Sequence, residues 1–174
     1  IFTSSDVVFN GVHPYPEEDT PTCPRTYHGN LKVQCENLIR ENFINHHIIR
    51  LSTIHSFDEN HLLLSKREIN SFISIALDKI KNSERVEAFS NIKRCFTKLD
   101  ELIRFIELLI EHKNYGTYHA GSEMKSYYER IIQLCQEYNL DYKKFLIPVN
   151  GGVKPLMQNL NTSKLENTFK YKFS

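Results

Sequence analysis

Short apolar runs alternate with longer amphipathic segments along most of this chain. Runs rich in β-branched residues predict strands at residues 1–5, 47–52 and 116–120, with a shorter one at 86–89. Apolar residues at helical spacing predict helices over residues 29–41, 66–81, about 99–110 and 123–138. Strands that alternate with helices of this length are joined by right-handed crossovers, so the pattern predicts an α/β protein with a parallel sheet.

Turn and cap residues mark the ends of several of these elements. Residues 10–24 hold four of the six prolines, and because proline fixes φ and lacks a donor, this segment is predicted to be a long surface loop. Thr97 and Asp100 have the spacing of a capping box in front of the third helix. Thr162 is placed to cap a final helical turn at residues 163–166.

The composition argues against several classes of partner. Lysine and arginine together number 22 and aspartate and glutamate 21, so the net charge of +1 provides no field that would attract nucleic acid or an acidic membrane. No run of about 18 apolar residues is present, so no membrane span is predicted. The chain begins at Ile1 inside a predicted strand and without a secretory signal, so we expect a preceding part to be missing.

The cysteines and histidines give no clear metal signature. The four cysteines are scattered and form no C-x-x-C pair, so we expect reduced thiols in a cytoplasmic protein. A reactive cysteine is the alternative, although none has an activating partner nearby in the sequence. His46, His47 and His55 are weak candidates for metal ligands, because neighbouring strand residues point to opposite faces. No metal is predicted.

Six segments of the chain resemble motifs of one family, in that family's order and at roughly its spacing. The family is that of the dTDP-4-dehydrorhamnose reductases, extended short-chain dehydrogenases/reductases whose relatives include the regulatory beta subunit of methionine adenosyltransferase. The similar segments are SSDVVFNG at 4–11, PYPEEDTP at 14–21, HGNLK with a following glutamate at 28–36, IIRLS at 48–52, GTYHAG at 116–121, and the stretch 154–166, which begins KP and ends SKLE.

The resemblance implies a fold, a division of the chain and a cofactor. The expected fold is the C-terminal part of a Rossmann-like parallel sheet, interleaved with a small substrate-binding α/β subdomain. Residues 1–56 and 97–121 would belong to the sheet, and residues 57–96 and 122–174 to the substrate-binding part. The family binds NADP or NAD, but no G-x-x-G-x-x-G turn occurs here, so these residues alone are not expected to anchor the dinucleotide pyrophosphate.

The resemblance also assigns catalytic roles by position. Members of the family pair a proton-donating tyrosine with a lysine four residues later, about 40° round and 6 Å along the same helix. Lys32 stands at the lysine position, and Ser5 at the position of the hydroxyl that holds the substrate carbonyl. His28 occupies the tyrosine position, whereas Tyr27 comes one residue too early. If both are helical, Tyr27 and Lys32 diverge by roughly 140°.

Two interpretations of His28 remain open. An imidazole titrates near neutrality and suits proton donation, so His28 is a candidate substitute acid beside Tyr27. A helix N-terminus and a neighbouring lysine both favour the neutral imidazole, however, which supports a degraded site with His28 as an ordinary helix-start residue. Val7 stands where many relatives have tyrosine and Thr53 where many have tryptophan.

The remaining expectations concern binding and function. By position, Lys32, Ser52 and Thr53 are expected to contact the cofactor, and Ser5, Asp6, Val7 and Lys154 a nucleotide-sugar substrate. The first hypothesis is NAD(P)H-dependent reduction of a nucleotide-linked 4-keto sugar, with an oligomer possible. The second is a regulatory protein that binds a sugar nucleotide or dinucleotide without turnover. The third is an inert chain, since its sheet would expose an unpaired edge.

Overall fold

The computed structural model describes residues 1–13, 15–55, 72–151 and 157–174. The strands are β1 (Phe2–Ser5), β2 (His47–Leu51), β3 (Thr53–His55), β4 (Val86–Phe89), β5 (Lys93–Arg94), β6 (Phe96–Lys98), β7 (Gly116–Ala120), β8 (Lys125–Ser126), β9 (Leu146–Val149) and β10 (Met157–Gln158). The helices are α1 (Tyr27–Asn42), α2 (Phe72–Lys81), α3 (Leu99–Glu111), α4 (Tyr127–Glu137) and α5 (Ser163–Phe169), and a 3₁₀ turn spans Asp6–Val8.

The main sheet has the order β1-β2-β7 and all of its strands are parallel. Parallel neighbours require crossover connections, and these contain α1 between the first two strands and α3 before the third. The sequence-based prediction of an α/β protein with a parallel sheet is therefore confirmed. Because β1 and β2 are parallel, their carboxyl ends lie side by side, where Ser5 is in register with Leu51.

The two faces of this sheet differ in chemistry. Alternate residues of β2 and β7, such as Ile49 and Tyr118, pack with α3, α5 and the chain's C-terminal residues into an apolar core. The opposite face, toward α1, carries polar side chains that are nevertheless buried, namely Ser4, Arg50 and His119. One face thus supplies apolar burial, while the other needs hydrogen bonds and ion pairs to be buried at all.

A second apolar core lies outside the main sheet. Helices α2 and α4 pack together and against the parallel pair β4-β9. Two further small sheets, the parallel pair β3-β6 and the mixed sheet β10-β5-β8, complete the described strands. The predicted helix 66–81 is described from Phe72 onward, and its earlier residues lie outside the described part of the chain.

The start of α1 is set by two local features. Thr26 is the N-cap, and its side-chain oxygen accepts a hydrogen bond from the Gly29 N–H at 3.0 Å, so the helix begins earlier than the predicted Gly29. Gly29 then packs against the turn after β1, where a Cβ would lie 2.4 Å from the Val7 carbonyl oxygen and 2.8 Å from the Pro24 Cβ. The helix approaches the strand end this closely because Gly29 has no side chain.

The predicted capping box of α3 and the predicted start of α4 are wrong. The N-cap of α3 is Lys98 rather than Thr97, and Lys98 makes no side-chain capping bond. Thr97 does not cap the helix because its hydroxyl donates to the Ala120 carbonyl at 3.2 Å. Helix α4 begins at Tyr127 rather than at residue 123, because Lys125 and Ser126 pair with β5. The capping box lies there, between Ser126 and Glu129. Thr162 does occupy the N-cap of α5, but its hydroxyl donates to the Glu166 carboxylate.

Replacing Gly29 should test the packing of α1 on β1. In a free helix Gly29→Ala would be stabilising by about 1 kcal/mol, but the clash with Val7 requires α1 to move, so we expect a net loss of about 1–3 kcal/mol. Urea unfolding measures this loss, with the exposed Gln34→Ala on the same helix as the control. Equal or higher stability of Gly29→Ala would contradict the close approach.

Candidate functional site

A group of hydroxyls and one carboxyl lies at the carboxyl ends of β1 and β2. Ser5 ends β1, Asp6 opens the 3₁₀ turn, and Ser52 follows β2. The Ser52 hydroxyl donates to Asp6 Oδ2 at 2.7 Å, and the Ser5 hydroxyl donates to Asp6 Oδ1 at 3.1 Å. The parallel register therefore brings together three of the residues that sequence similarity predicted as site residues. Ligands of open parallel sheets bind at this edge.

Asp6 carries a carboxyl group in a buried position. Burial raises the pKa of Asp6 above its usual value, while the hydrogen bond from Ser52, the charge of Arg94 and the hydrogen bond from Ser5 act in the opposite direction. A buried carboxyl with a raised pKa at the end of parallel strands is typical of a functional site.

Arg94 is a member of this site that the sequence reasoning missed. It lies on β5, and its charge acts on Asp6, while its Nε atom is buried without a hydrogen-bond partner among the described residues. In the sequence, Lys93-Arg94 is an unremarkable pair of cations between a strand and a helix. Its position near Asp6 depends on the pairing of β5 with β8 and β10, for which no local signal exists.

Lys32 reaches the strand that ends in Ser5. Its Nζ donates to the Thr3 carbonyl at 2.8 Å and lies 4.9 Å from the centroid of the Phe2 ring. Thr3 lies two residues before Ser5, so Lys32 contacts β1 close to the end of the strand. Ser4 faces α1, because its hydroxyl donates to Glu36, so the alternation of side chains along the strand directs Ser5 to the other face of β1.

The first turn of α1 contains both candidates for the proton donor. Tyr27 and His28 are helical, so about 100° per residue places His28 some 40° from Lys32 and Tyr27 roughly 140° from it. Relative to Gly29, which faces the sheet, Tyr27 points about 160° away. Tyr27 is accordingly 79% exposed. Of the two, only His28 lies on the same side of the helix as Lys32.

The other predicted contacts lie around this edge or outside the described residues. Val7 is half-buried in the 3₁₀ turn, and its N–H donates to the Ser5 hydroxyl oxygen at 3.4 Å. Thr53 is in β3, in register with Phe96, directly after Ser52. Lys154 lies outside the described residues.

A polar network is buried beneath α1. Arg50 donates to both carboxylate oxygens of Glu36, from Nε at 3.0 Å and from Nη2 at 2.8 Å. Ser4 and Arg40 donate to the same carboxylate at 2.5 and 2.7 Å. Burial alone would raise the pKa of Glu36, but the hydrogen bonds and charges of Arg50, Ser4 and Arg40 lower it. Glu36 is therefore held as an anion under the helix.

The same network extends to β7 and to the long loop. Arg50 Nη1 donates to the Glu18 carbonyl at 3.1 Å and lies 3.3 Å from His119 Nε2. Burial and the charge of Arg50 lower the pKa of His119 to about 3, so its imidazole is neutral. A polar pocket of about 380 Å³ opens beside this network, lined by Glu18, Asp19, Thr20, Thr22, Arg40, Arg50, Thr117 and Lys164.

The described residues offer no other obvious chemistry. In residues 1–13, 15–55, 72–151 and 157–174 no three His, Cys, Asp or Glu side chains come together as a metal site. All four cysteines are free thiols, and burial raises the pKa of Cys95 and of Cys135 to about 11, which disfavours the reactive thiolate. None of the helices in this part of the chain is long and apolar enough to cross a membrane.

The parallel sheet, with polar groups at its carboxyl edge, defines a Rossmann-like α/β protein with the fold of the nucleotide-sugar reductases and dehydratases. The chain belongs to the RmlD substrate binding domain family, whose model matches residues 1–172. Among curated relatives, methionine adenosyltransferase 2 subunit beta of Bos taurus is 27% identical and that of Rattus norvegicus 28% identical, each over 95% of this chain and 51% of its own length. The chain thus spans about half the length of these relatives.

Solved structures agree on the fold. The dTDP-4-dehydrorhamnose reductase of Bacillus anthracis, in complex with NADP, has a TM-score of 0.80 at 22% identity and covers 99% of this chain and 60% of its own. The Bordetella bronchiseptica enzyme WbmG, in complex with NAD and UDP, has a TM-score of 0.73 at 17% identity, over 99% of this chain and 54% of its own. At these identities the likeness concerns the fold.

Replacing Asp6 tests whether its buried carboxyl group lowers the stability of the fold. Because the folded-state pKa of Asp6 is raised, the carboxyl favours folding when protonated, and this contribution is lost as the pH rises through the folded-state value. Asp6→Asn removes the cost of the buried charge, so we expect equal or higher stability than wild type at pH 7 and a smaller difference at pH 4. Urea unfolding at both pH values measures this.

Ser52→Ala provides the matched control for that experiment. It removes the strongest hydrogen bond to the Asp6 carboxylate, so it should lower stability at pH 7. Strong destabilisation by Asp6→Asn at pH 7 would show that the ionised carboxylate supports the fold.

Proposed function

We propose that this chain is the substrate-side part of an NAD(P)H-dependent reductase that acts on a nucleotide-linked 4-keto sugar. The family membership, the fold shared with dTDP-4-dehydrorhamnose reductases and the polar groups at the ends of β1 and β2 support the proposal. In this proposal residues 1–56 and 97–121 belong to the dinucleotide-binding sheet, and residues 57–96 and 122–174 bind the substrate. A cytoplasmic location fits the four free thiols.

The observation that carries the proposal is the position of α1 relative to β1. The Thr26 cap and the close approach of Gly29 set the helix so that His28 and Lys32 are one turn apart and Lys32 touches β1. In the proposal Ser5 donates to the substrate carbonyl, and His28 delivers the proton to the oxygen as the keto group is reduced. A bound nicotinamide would supply the hydride.

The remaining roles concern binding. Lys32 would contact the ribose next to the nicotinamide, with Ser52 and Thr53 beside it at the same sheet edge. Asp6, Val7 and Lys154 would contact the sugar nucleotide, and Arg94 adds a cation near the anionic ligand that such a substrate presents. Contacts to the dinucleotide pyrophosphate would come from residues beyond this sequence, because the chain has no glycine-rich phosphate turn.

A second candidate function is regulatory binding without turnover. Two observations favour it: histidine stands one turn before Lys32, where the family has tyrosine, and Tyr27 points away from Lys32 on an exposed face. The curated relatives described above are subunits of methionine adenosyltransferase. In this alternative the site binds a sugar nucleotide or dinucleotide but has lost its proton donor.

Replacing Lys32 tests the reductase proposal. In the complete gene product, Lys32→Ala should lower kcat/KM for a dTDP-linked 4-keto sugar by at least about 10²-fold, since proton-transfer and positioning groups contribute on this scale. NADPH oxidation followed by absorbance measures the loss, and thermal unfolding checks that the fold is retained. Lys144→Ala, at an exposed position, is the matched control. Undiminished activity of Lys32→Ala would rule out the assigned role.

Replacing His28 distinguishes the two candidate functions. If His28 is the acid, the wild-type protein turns over and His28→Phe loses about 10²–10⁴-fold in kcat, while Tyr27→Phe, which alters an exposed side chain, has little effect. If the site is degraded, the wild type shows no turnover and His28→Tyr creates it. A wild type whose robust turnover is unaffected by His28→Phe would exclude His28 as the proton donor.

A further inference from the structure

The α1 face of the main sheet carries a second polar site, away from the carboxyl ends of the strands. The pocket of about 380 Å³ beside Arg50, called the loop pocket below, is lined by loop residues 18–20 and 22 and by Arg40, Arg50, Thr117 and Lys164. Thr117 is in register with Ile48, whereas Ser5 is in register with Leu51. Thr117 therefore lies about 10 Å below Ser5 along the strands and about 10 Å across the sheet, so the loop pocket is separate from the candidate site.

We propose that the loop pocket binds the phosphate group of a small molecule. Cationic side chains line it from three elements, Arg40 from α1, Arg50 from β2 and Lys164 from α5. Guanidinium and ammonium groups are the usual phosphate-binding groups of proteins. A phosphate group has up to two charges and oxygens that point in several directions, so it can contact cations on different walls. The proposal concerns a different place from the reductase site and does not depend on the proposed function.

Two of the cations have donors to spare. Arg40 donates from Nη2 to Glu36 and Thr117 and from Nη1 to Asn37. Its Nε and the second hydrogen of Nη1 have no acceptor within the described part of the chain, because a guanidinium carries five N–H groups. Lys164 Nζ donates to the Thr117 carbonyl at 2.8 Å, which leaves further ammonium hydrogens for a ligand. Arg50 is engaged with the protein and contributes mainly its charge.

Threonine hydroxyls add neutral donors to the same cavity. The Thr20 hydroxyl oxygen accepts from the Glu17 N–H at 2.8 Å, and that of Thr117 accepts from Arg40 Nη2 at 3.3 Å. Neither hydroxyl hydrogen has an acceptor among residues 1–13, 15–55, 72–151 and 157–174. Thr22 is a half-buried third hydroxyl on the pocket wall. A ligand group that only accepts hydrogen bonds, as a phosphate oxygen does, complements such a lining.

The carboxyl groups near the pocket limit the affinity but do not exclude an anion. Glu36 lies under α1 and is already paired, so it offsets one of the cations. Burial raises the pKa of Glu18, while its hydrogen bond from the His119 N–H and the charge of Lys164 act in the opposite direction. An anion bound beside Glu18 would favour the neutral carboxyl further. Asp19 is exposed at the rim, where solvent screens its charge.

The walls of the loop pocket are tied to one another without a ligand. Arg50 Nη1 donates to the Glu18 carbonyl at 3.1 Å, which holds the long loop to β2. The Asn161 N–H donates to the Pro16 carbonyl at 3.1 Å, which holds the same loop to the start of α5. A site formed in advance loses less entropy when the ligand binds. With the opposing carboxyls included, we expect inorganic phosphate alone to bind with a dissociation constant of about 1 mM.

Calorimetric titration of the complete gene product with inorganic phosphate tests the proposal. At constant ionic strength, Lys164→Gln should weaken binding at least about fivefold, because it removes a charge-assisted hydrogen bond. Lys143→Gln removes the same charge at an exposed position in the other core and is the matched control. A wild type that binds no phosphate, or binding unchanged by Lys164→Gln, would overturn the proposal.

Asp19→Asn provides a test in the opposite direction, which loss of folding cannot imitate. Removal of this rim carboxylate should strengthen phosphate binding about threefold, since a charge about 6 Å away contributes on this scale in water. Glu107→Gln, at an exposed position on α3, is the control and should have no effect. Succinate, a dianion without a phosphate group, should bind more weakly than phosphate. Unchanged affinity of Asp19→Asn, or equally tight binding of succinate, would contradict a phosphate site here.

Selenate, a tetrahedral anion that scatters anomalously, locates the site directly. In soaked crystals of the complete gene product, an anomalous peak should lie within hydrogen-bond distance of Lys164 Nζ and Arg40. Crystals of Lys164→Gln should lack this peak but keep any peak that belongs to another anion site of the protein. A peak in the loop pocket that persists in Lys164→Gln would indicate an adventitious ion only, and its absence from wild-type crystals would also overturn the proposal.

Discussion

The buried carboxylate of Glu36 fixes the geometry on which the candidate site depends. Glu36 receives hydrogen bonds from β1 through Ser4, from β2 through Arg50 and from α1 itself through Arg40. A buried charge is tolerated only when it is fully paired, so these partners must meet in a single arrangement. Glu36 lies one turn after Lys32 on the same side of α1, and the ion pair therefore sets the height of Lys32 above β1 as well. The ion pair between Glu36 and Arg50 beneath α1 thus helps to position the predicted site residue Lys32.

The two faces of the main sheet bury different kinds of side chain, apolar on one face and polar on the other. Ile49 and Tyr118 bury apolar surface against α3 and α5, which stabilises the fold without any requirement for polar partners. Asp6, at the edge of the sheet, and His119, on the other face, are buried. Burial raises the pKa of Asp6 and lowers that of His119, which favours the neutral form of each. Ionisable groups with shifted pKa values of this kind are common at functional sites.

The sequence predicts those parts of this structure that local pattern controls. The run around Ile49 is short and β-branched, and it forms a buried parallel strand, as expected. The predicted start of α4 was wrong because Lys125 joins a strand whose partner is distant in the sequence. The periodicity of apolar residues contains no information about such pairing. Arg94 was missed for the same reason, while Ser5 and Lys32 were identified by resemblance and their roles stay predictions. The sequence therefore predicts the strands and the helix around the site better than it predicts the residues, such as Arg94, that other strands add to the site.

Helix α1 presents different residues in three directions, and this explains why the shift of one position between Tyr27 and His28 matters. Toward the sheet lie Gly29 and Glu36, which set the position of the helix. At the side, His28 and Lys32 lie one turn apart, and Lys32 contacts β1. Opposite the sheet lie Tyr27, Leu31 and Leu38, which are exposed. A tyrosine at position 28 would present its phenol beside Lys32, whereas at position 27 the ring has turned by about 100° and joins the apolar outer face. The same side chain thus changes from a group suited to proton transfer to an exposed group that points away from Lys32, without any change in the fold.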